Sequence, residues 1–114
     1  MDITKYRQMV DENYRSMIEF LGDDETFYAK DDVLDCANIL YGYLEALETM
    51  EDPDDDKIME EVKNVVLALN DINECTDMIE TVEREAICEI IQESAIECGL
   101  ECYEDDITEE WRDW

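Results

Sequence analysis

Histidine is absent from this chain of 114 residues, proline occurs once, glycine three times, and 8 Lys and Arg stand against 35 Asp and Glu. Each scarcity excludes something. Without histidine there is no Ser-His or Cys-His nucleophile pair, no imidazole base, and no His ligand of the kind most catalytic zinc and iron sites use. With so few glycines and prolines the chain cannot supply the turns of a β-sandwich or barrel. A formal net charge of −27 repels DNA, RNA and anionic lipid, so neither direct nucleic-acid binding nor membrane association is expected. No apolar run approaches the ~20 residues of a membrane span, and no basic segment followed by an apolar stretch opens the chain. No glycine-rich phosphate loop is present. The five cysteines are odd in number and scattered, and a chain of this length does not need disulfide staples. Reduced thiols and a cytoplasmic location are the expectation.

What remains is an acidic chain with a core. Hydrophobic residues make up 46% and aromatics 9%, well above a disordered acidic tail, so one domain spanning residues 1–114 is expected. Apolar residues recur at three and four, the helical period. A first helix is predicted from Ile3 to Leu21, with Tyr6, Met9, Val10, Met17, Ile18 and Leu21 inward and Gly22 as its stop. An acidic loop, Asp23-Asp24-Glu25, follows. A second helix, capped by Asp31 or Asp32, carries Val33, Leu34, Ala37, Leu40, Tyr41, Leu44 and Leu47 and ends near Met50. Asp52 and Pro53 stand in the order of a cap and a first helical residue, opening a third with Ile58, Met59, Val62, Val65, Val66 and Leu69. The pattern wavers between Asn70 and Thr76, leaving open whether the next helix is continuous with the third. That fourth helix carries Ile79, Val82, Ala86, Ile87, Ile90, Ile91 and Ala95 and stops at Gly99. Asp105 or Asp106 then caps a short terminal helix in which Ile107, Trp111 and Trp114 form an apolar edge. The fold class predicted is all-α: a four-helix antiparallel bundle-like domain with a short C-terminal helix.

Three acidic or thiol patterns invite metal chemistry. Asp52, Asp54 and Asp56 alternate like the first ligands of an EF-hand loop, but Lys57 stands where that turn needs glycine and Lys63 where a bidentate glutamate closes the site. A solvated loop and helix start is the better reading. Cys98 and Cys102 lie four apart near a helix end, yet no second pair completes a tetrahedral site. Finally, Glu45-x-x-Glu48 and Glu74-x-x-Asp77 form a spacing that resembles the all-α nucleoside-triphosphate pyrophosphohydrolases of the MazG type. That resemblance, which covers four positions, implies acids on facing helices holding the magnesium of a bound nucleotide. The chain is otherwise expected to be no enzyme and to hold no cofactor.

The most informative pattern lies on the fourth helix, where Glu85, Glu89, Glu93, Glu97 and Glu101 recur every fourth residue, preceded by Asp77 and Glu80. A rise of 1.5 Å per residue spaces the row about 6 Å apart, and each like-charge step costs roughly 0.2–0.5 kcal/mol. Such a row is either the solvent face of an acidic helix or an imitation of a nucleic-acid strand, which carries one phosphate per ~3.4 Å. Acidity is also uneven. Residues 1–22 hold 3 basic and 4 acidic residues, residues 23–61 hold 2 and 15, and residues 62–114 hold 3 and 16. A solvent adaptation to salt would spread the charge evenly. The function expected is therefore an acidic helical binding protein of inhibitor or immunity type, which neutralises a basic partner such as a nuclease or another nucleic-acid-binding protein. Small acidic helical proteins that neutralise nuclease toxins are similar in general character, although the paired tyrosines of colicin-nuclease immunity proteins are missing. The alternatives are an interaction module using the Trp111 and Trp114 edge, and a magnesium-dependent pyrophosphohydrolase. The candidate partner-binding residues are Asp77, Glu80, Glu85, Glu89, Glu93, Glu97, Glu101, Trp111 and Trp114.

Overall fold

The computed structural model describes residues 1–22, 28–101, 103 and 105–114. Among them the chain forms four α-helices and no strand: α1 (Thr4–Leu21), α2 (Lys30–Glu48), α3 (Asp55–Thr76) and α4 (Thr81–Cys98). The acidic loop at 23–25 lies outside the described residues, as does Cys102 of the cysteine pair.

The helix ends follow from local chemistry, and two differ from expectation. Asp32 acts from inside α2 rather than as its cap: its carboxylate, on the first turn, accepts the Ala29 N–H at 2.8 Å. Pro53 does not open α3. Asp52 takes a left-handed backbone, φ 49°, and the role of cap passes to Asp54, whose carboxylate accepts the Lys57 N–H at 2.8 Å. A helix cap takes an extended backbone, which Asp54 adopts at φ −135° and ψ 171° and Asp52 does not, so the helix starts beyond Pro53. Asp55 and Asp56 then sit in the first turn, where negative charge meets the positive end of the helix dipole.

Helices α3 and α4 are separate. Asp77 ends α3 in a left-handed conformation, φ 55°, with its N–H bonded to Asn73 O at 2.7 Å. Asn73 also accepts the Ile79 N–H through its side chain at 2.9 Å, which holds Met78 and Ile79 into the core between the two helices. At the far end Gly99, φ 126°, terminates α4, and the Leu100 N–H reaches back to Ala95 O at 3.1 Å. That six-residue return is the glycine-stopped helix end in which a buried apolar residue follows the glycine, here Leu100.

One cluster of buried side chains joins all four helices. It takes Tyr6, Val10 and Met17 from α1, Leu40, Leu44 and Leu47 from α2, Ile58, Val62, Val66 and Leu69 from α3, and Ile87, Ile90, Ile91 and Ala95 from α4. Two expected core positions face outward instead, Leu34 at 43% and Val82 at 72% exposure, while Cys36 and Tyr43 are buried in their place. The start of α1 lies beside the end of α2, where Arg7 pairs with Glu45 at 2.9 Å. Farther along the same interface the Tyr41 hydroxyl donates to Asp11. Inside the core, the Tyr43 hydroxyl donates to Ile91 O at 2.8 Å and Ser94 Oγ to Ile90 O at 2.6 Å, so both buried hydroxyls are satisfied. After Leu100 the chain folds back over α3 and α4. The segment expected as a terminal helix forms hydrogen-bonded turns over residues 107–111, with the Arg112 N–H on Thr108 O at 3.0 Å.

Gly42 stands in the exposed middle of α2 with nothing within 4 Å of where a Cβ would lie. Its backbone is helical, so the glycine costs conformational entropy without relieving a clash. Gly42→Ala is expected to raise unfolding stability by about 1 kcal/mol in urea titration, with an unchanged helical circular dichroism spectrum.

Candidate partner-binding surface

Glu85, Glu89, Glu93 and Glu97 all lie on α4 and all are exposed. Steps of four overshoot the 3.6-residue turn, so the row slants across the helix by roughly 26° instead of running along its axis. It borders α1 as it goes. Glu89 lines a shallow cavity with Met9, Glu12 and Asn13 of α1 and Ala86 and Ile90 of α4. Farther along, the Tyr6 hydroxyl meets Glu93 O at 3.4 Å. Burial, then a hydrogen bond to Glu97 and the charges of Glu97 and Glu93, push the Tyr6 phenol up to about 12. The phenol therefore stays a neutral donor beside the row at physiological pH.

The row's intended last member is set apart. Glu101 lies beyond the Gly99 stop, exposed, and its N–H is held by Asp55 Oδ1 at 2.9 Å, which ties it to the start of α3. Asp77 and Glu80 lie at the opposite end of α4, the first capping α3 and the second capping α4, both exposed. Ion pairs among the described residues join Arg7 to Glu45 and Arg112 to Asp106, and neither involves a carboxylate of the row.

Trp111 and Trp114 belong to a different environment. Both are half-buried and packed against the core cluster. Asn70 of α3, itself buried, donates from Nδ2 to Trp111 O at 2.7 Å and accepts the Asp113 N–H on Oδ1 at 3.2 Å. Arg112 lies over the Trp114 ring, 5.4 Å from its centre, and pairs with Asp106 at 2.9 Å. Asp106 also accepts from the backbone and hydroxyl of fully buried Thr108. On the α4 side, the Gln92 amide donates to Asp105 O at 3.0 Å and Cys88 Sγ approaches the Thr108 hydroxyl at 3.6 Å. The tryptophan edge is thus the inner side of a docked clasp. The signal sequence reasoning missed is Asn70, a polar residue directly after buried Leu69 of α3, whose amide fits a backbone donor and acceptor at once.

The two acidic pairs that resemble a magnesium site are not brought together. Glu45 and Glu48 lie at the end of α2, where neighbouring Leu47 O meets Cys98 at the end of α4. Glu74 and Asp77 lie at the end of α3, just before α4 begins. About 27 Å of α4 separates these two levels. Among the described residues no group of three or more Cys, Asp or Glu side chains is placed to hold a metal ion. The thiols are also subdued. Burial alone pushes Cys36 up to about 12, and burial raises Cys88 and Cys98 as well, while Cys75 is exposed.

Asn70→Ala removes both bonds that seat the clasp, and unfolding stability is expected to fall by about 2 kcal/mol. Tryptophan emission should shift to the red and Cys88 should react faster with a thiol reagent; unchanged emission would mean that the clasp does not depend on Asn70. Acid should release the clasp too. Burial of the Asp106 carboxyl is outweighed by its bonds to Thr108 and the charge of Arg112, which hold its pKa below the usual value. A depressed folded pKa means that this stabilisation is complete at neutral pH and disappears as pH falls through that value, observable as a red shift of tryptophan emission in acid titration. Comparison of the chain with family models, with curated proteins and with solved structures found no match.

Proposed function

We propose that the chain is an acidic helical binding protein that occupies the basic groove of a nucleic-acid-active partner, such as a nuclease, and blocks it. The observation that carries this reading is the row Glu85, Glu89, Glu93 and Glu97, four exposed carboxylates on one slanting ridge without an ion pair to offset their repulsion among the described residues. A surface built for stability alone would intersperse lysine at these positions, since Glu and Lys four apart attract. An antiparallel arrangement of the four helices suits the purpose, because short connections place α1 and α4 side by side and leave the ridge open along its outer edge. The acidic field then steers a basic partner to the ridge, raising the association rate more than the intrinsic affinity.

The weak basicity of α1 adds to this reading. Lys5, Arg7 and Arg15 balance the acids of that helix, so the field is carried by α2, α3 and α4 in equal measure and by the segments that join them. The tryptophan edge, seated on the core by Asn70, is a poorer candidate for first contact than the exposed ridge.

The test changes Glu85, Glu89, Glu93 and Glu97 together to glutamine. Helix propensity is nearly preserved and three like-charge steps disappear, so stability should hold or rise by about 1 kcal/mol. Against a basic protein captured from the native host, association at low salt should slow at least tenfold, and the wild-type dependence of the rate on salt should flatten. A rate indifferent to both salt and these changes would contradict the proposal.

A further inference from the structure

At the end of the molecule where α3 hands over to α4, a cavity of about 320 Å³ is lined by Phe20, Tyr28, Thr76, Asp77, Met78, Glu80 and Glu83. Its chemistry is mixed in a particular way. Phe20 is 75% exposed, and Val82, on the adjoining first turn of α4, is 72% exposed; these are the most exposed large apolar side chains among the described residues. Tyr28 is half-buried and Met78 is buried against the core, so the cavity has an apolar floor and an aromatic wall. Three carboxylates, Asp77, Glu80 and Glu83, stand around it, and none of the lining residues among those described is basic. Burial, then the charges of Glu83 and Glu80, raise the Tyr28 phenol above its usual value.

Aromatic faces beside uncompensated carboxylates suit one kind of group, a cation on a long aliphatic stem. The stem of arginine or lysine packs on apolar and aromatic surface while its charged head seeks anions, and arginine adds a planar face that stacks on a ring. A neutral apolar side chain would leave three carboxylates partly desolvated without a partner, and an anion would be repelled. The cavity lies at the start of α4, at the same end as Glu85, the first member of the acidic row, although a separation of two residues puts Glu83 and Glu85 on different faces of the helix.

We infer that this cavity is an anchor pocket for a single arginine or lysine side chain of the basic partner, its stem between Phe20 and Tyr28 and its head among Asp77, Glu80 and Glu83. This rests on the proposed binding of a basic partner and names the point at which that partner is fixed, whereas the glutamate row supplies steering.

The test uses the full chain, isotopically labelled, and two peptides: acetyl-Ala-Arg-Ala-amide, and the same peptide with citrulline, the uncharged isostere of arginine. The arginine peptide should produce saturable amide shifts confined to Phe20, Tyr28 and residues 76–83, and the citrulline peptide should bind at least tenfold more weakly. Phe20→Ala, which removes a side chain that is mostly in solvent, should weaken the arginine peptide about threefold, and the double change Glu80→Gln, Glu83→Gln about tenfold, each with an unchanged circular dichroism spectrum. Shifts spread along Glu85 to Glu97, equal binding of the two peptides, indifference to Phe20→Ala, or absence of shifts would each overturn the pocket. Those results would leave the row itself untouched, because the four-glutamine variant reads it separately through association rate and salt.

Discussion

Everything in this molecule depends on a core that must outweigh its own surface. A net charge of −27 on 114 residues pushes the helices apart, and nothing in the described ion pairs offsets more than a small part of it. What opposes the repulsion is apolar burial spread over all four helices. Leu40, Leu44, Ile58, Val62, Leu69, Ile87 and Ile91 lose essentially all contact with solvent, each contributing roughly 1.5–3 kcal/mol relative to exposure. Tyr43 and Ser94 place hydroxyls in that interior and satisfy them on the backbone of α4, so no unpaired polar group taxes the core there. The acids are then free to occupy positions chosen by something other than stability.

The same constraint explains the clasp. A terminal segment carrying Asp105, Asp106, Glu109, Glu110 and Asp113 would be expected to drift from an acidic body. It is held by specific contacts, one of them an ion pair: Asn70 pins the backbone at Trp111 and Asp113, and Arg112, one of few basic residues, pairs with Asp106 and lies over the Trp114 ring. A basic side chain used this way indicates that order at the C-terminal end outweighs any gain from placing it against the outer acids.

How much of this was legible in the sequence follows from what each signal depends on. The helices and most of their inward faces rest on local periodicity, and residues such as Val62, Val66, Ile87 and Ile91 fall where that periodicity puts them. Val82 and Leu34 do not, because periodicity marks a stripe wider than the surface a neighbouring helix covers, and its margins are settled by packing. The start of α3 turned on a competition between two cap-like residues flanking Pro53, of which Asp54 takes the extended backbone of a cap and Asp52 does not. The terminal tryptophans were legible as an apolar edge, but whether that edge faces a partner or the core depended on Asn70, more than forty positions earlier, and no local pattern carries such a contact. The glutamate row was fully visible as spacing; that it borders α1 and leaves Glu101 off the helix required the Gly99 stop in three dimensions. The cavity at Phe20 drew on three helix ends at once and had no sequence signature at all.

A binder that takes the place of a nucleic-acid strand must exclude that strand from its partner, and this is the most direct measurement of the central claim. With the basic partner bound to a labelled oligonucleotide at low salt, adding the acidic chain should release the oligonucleotide at a one-to-one ratio with partner, and no species containing all three should appear. A stable ternary complex, with the oligonucleotide retained while the acidic chain is bound, would contradict the account.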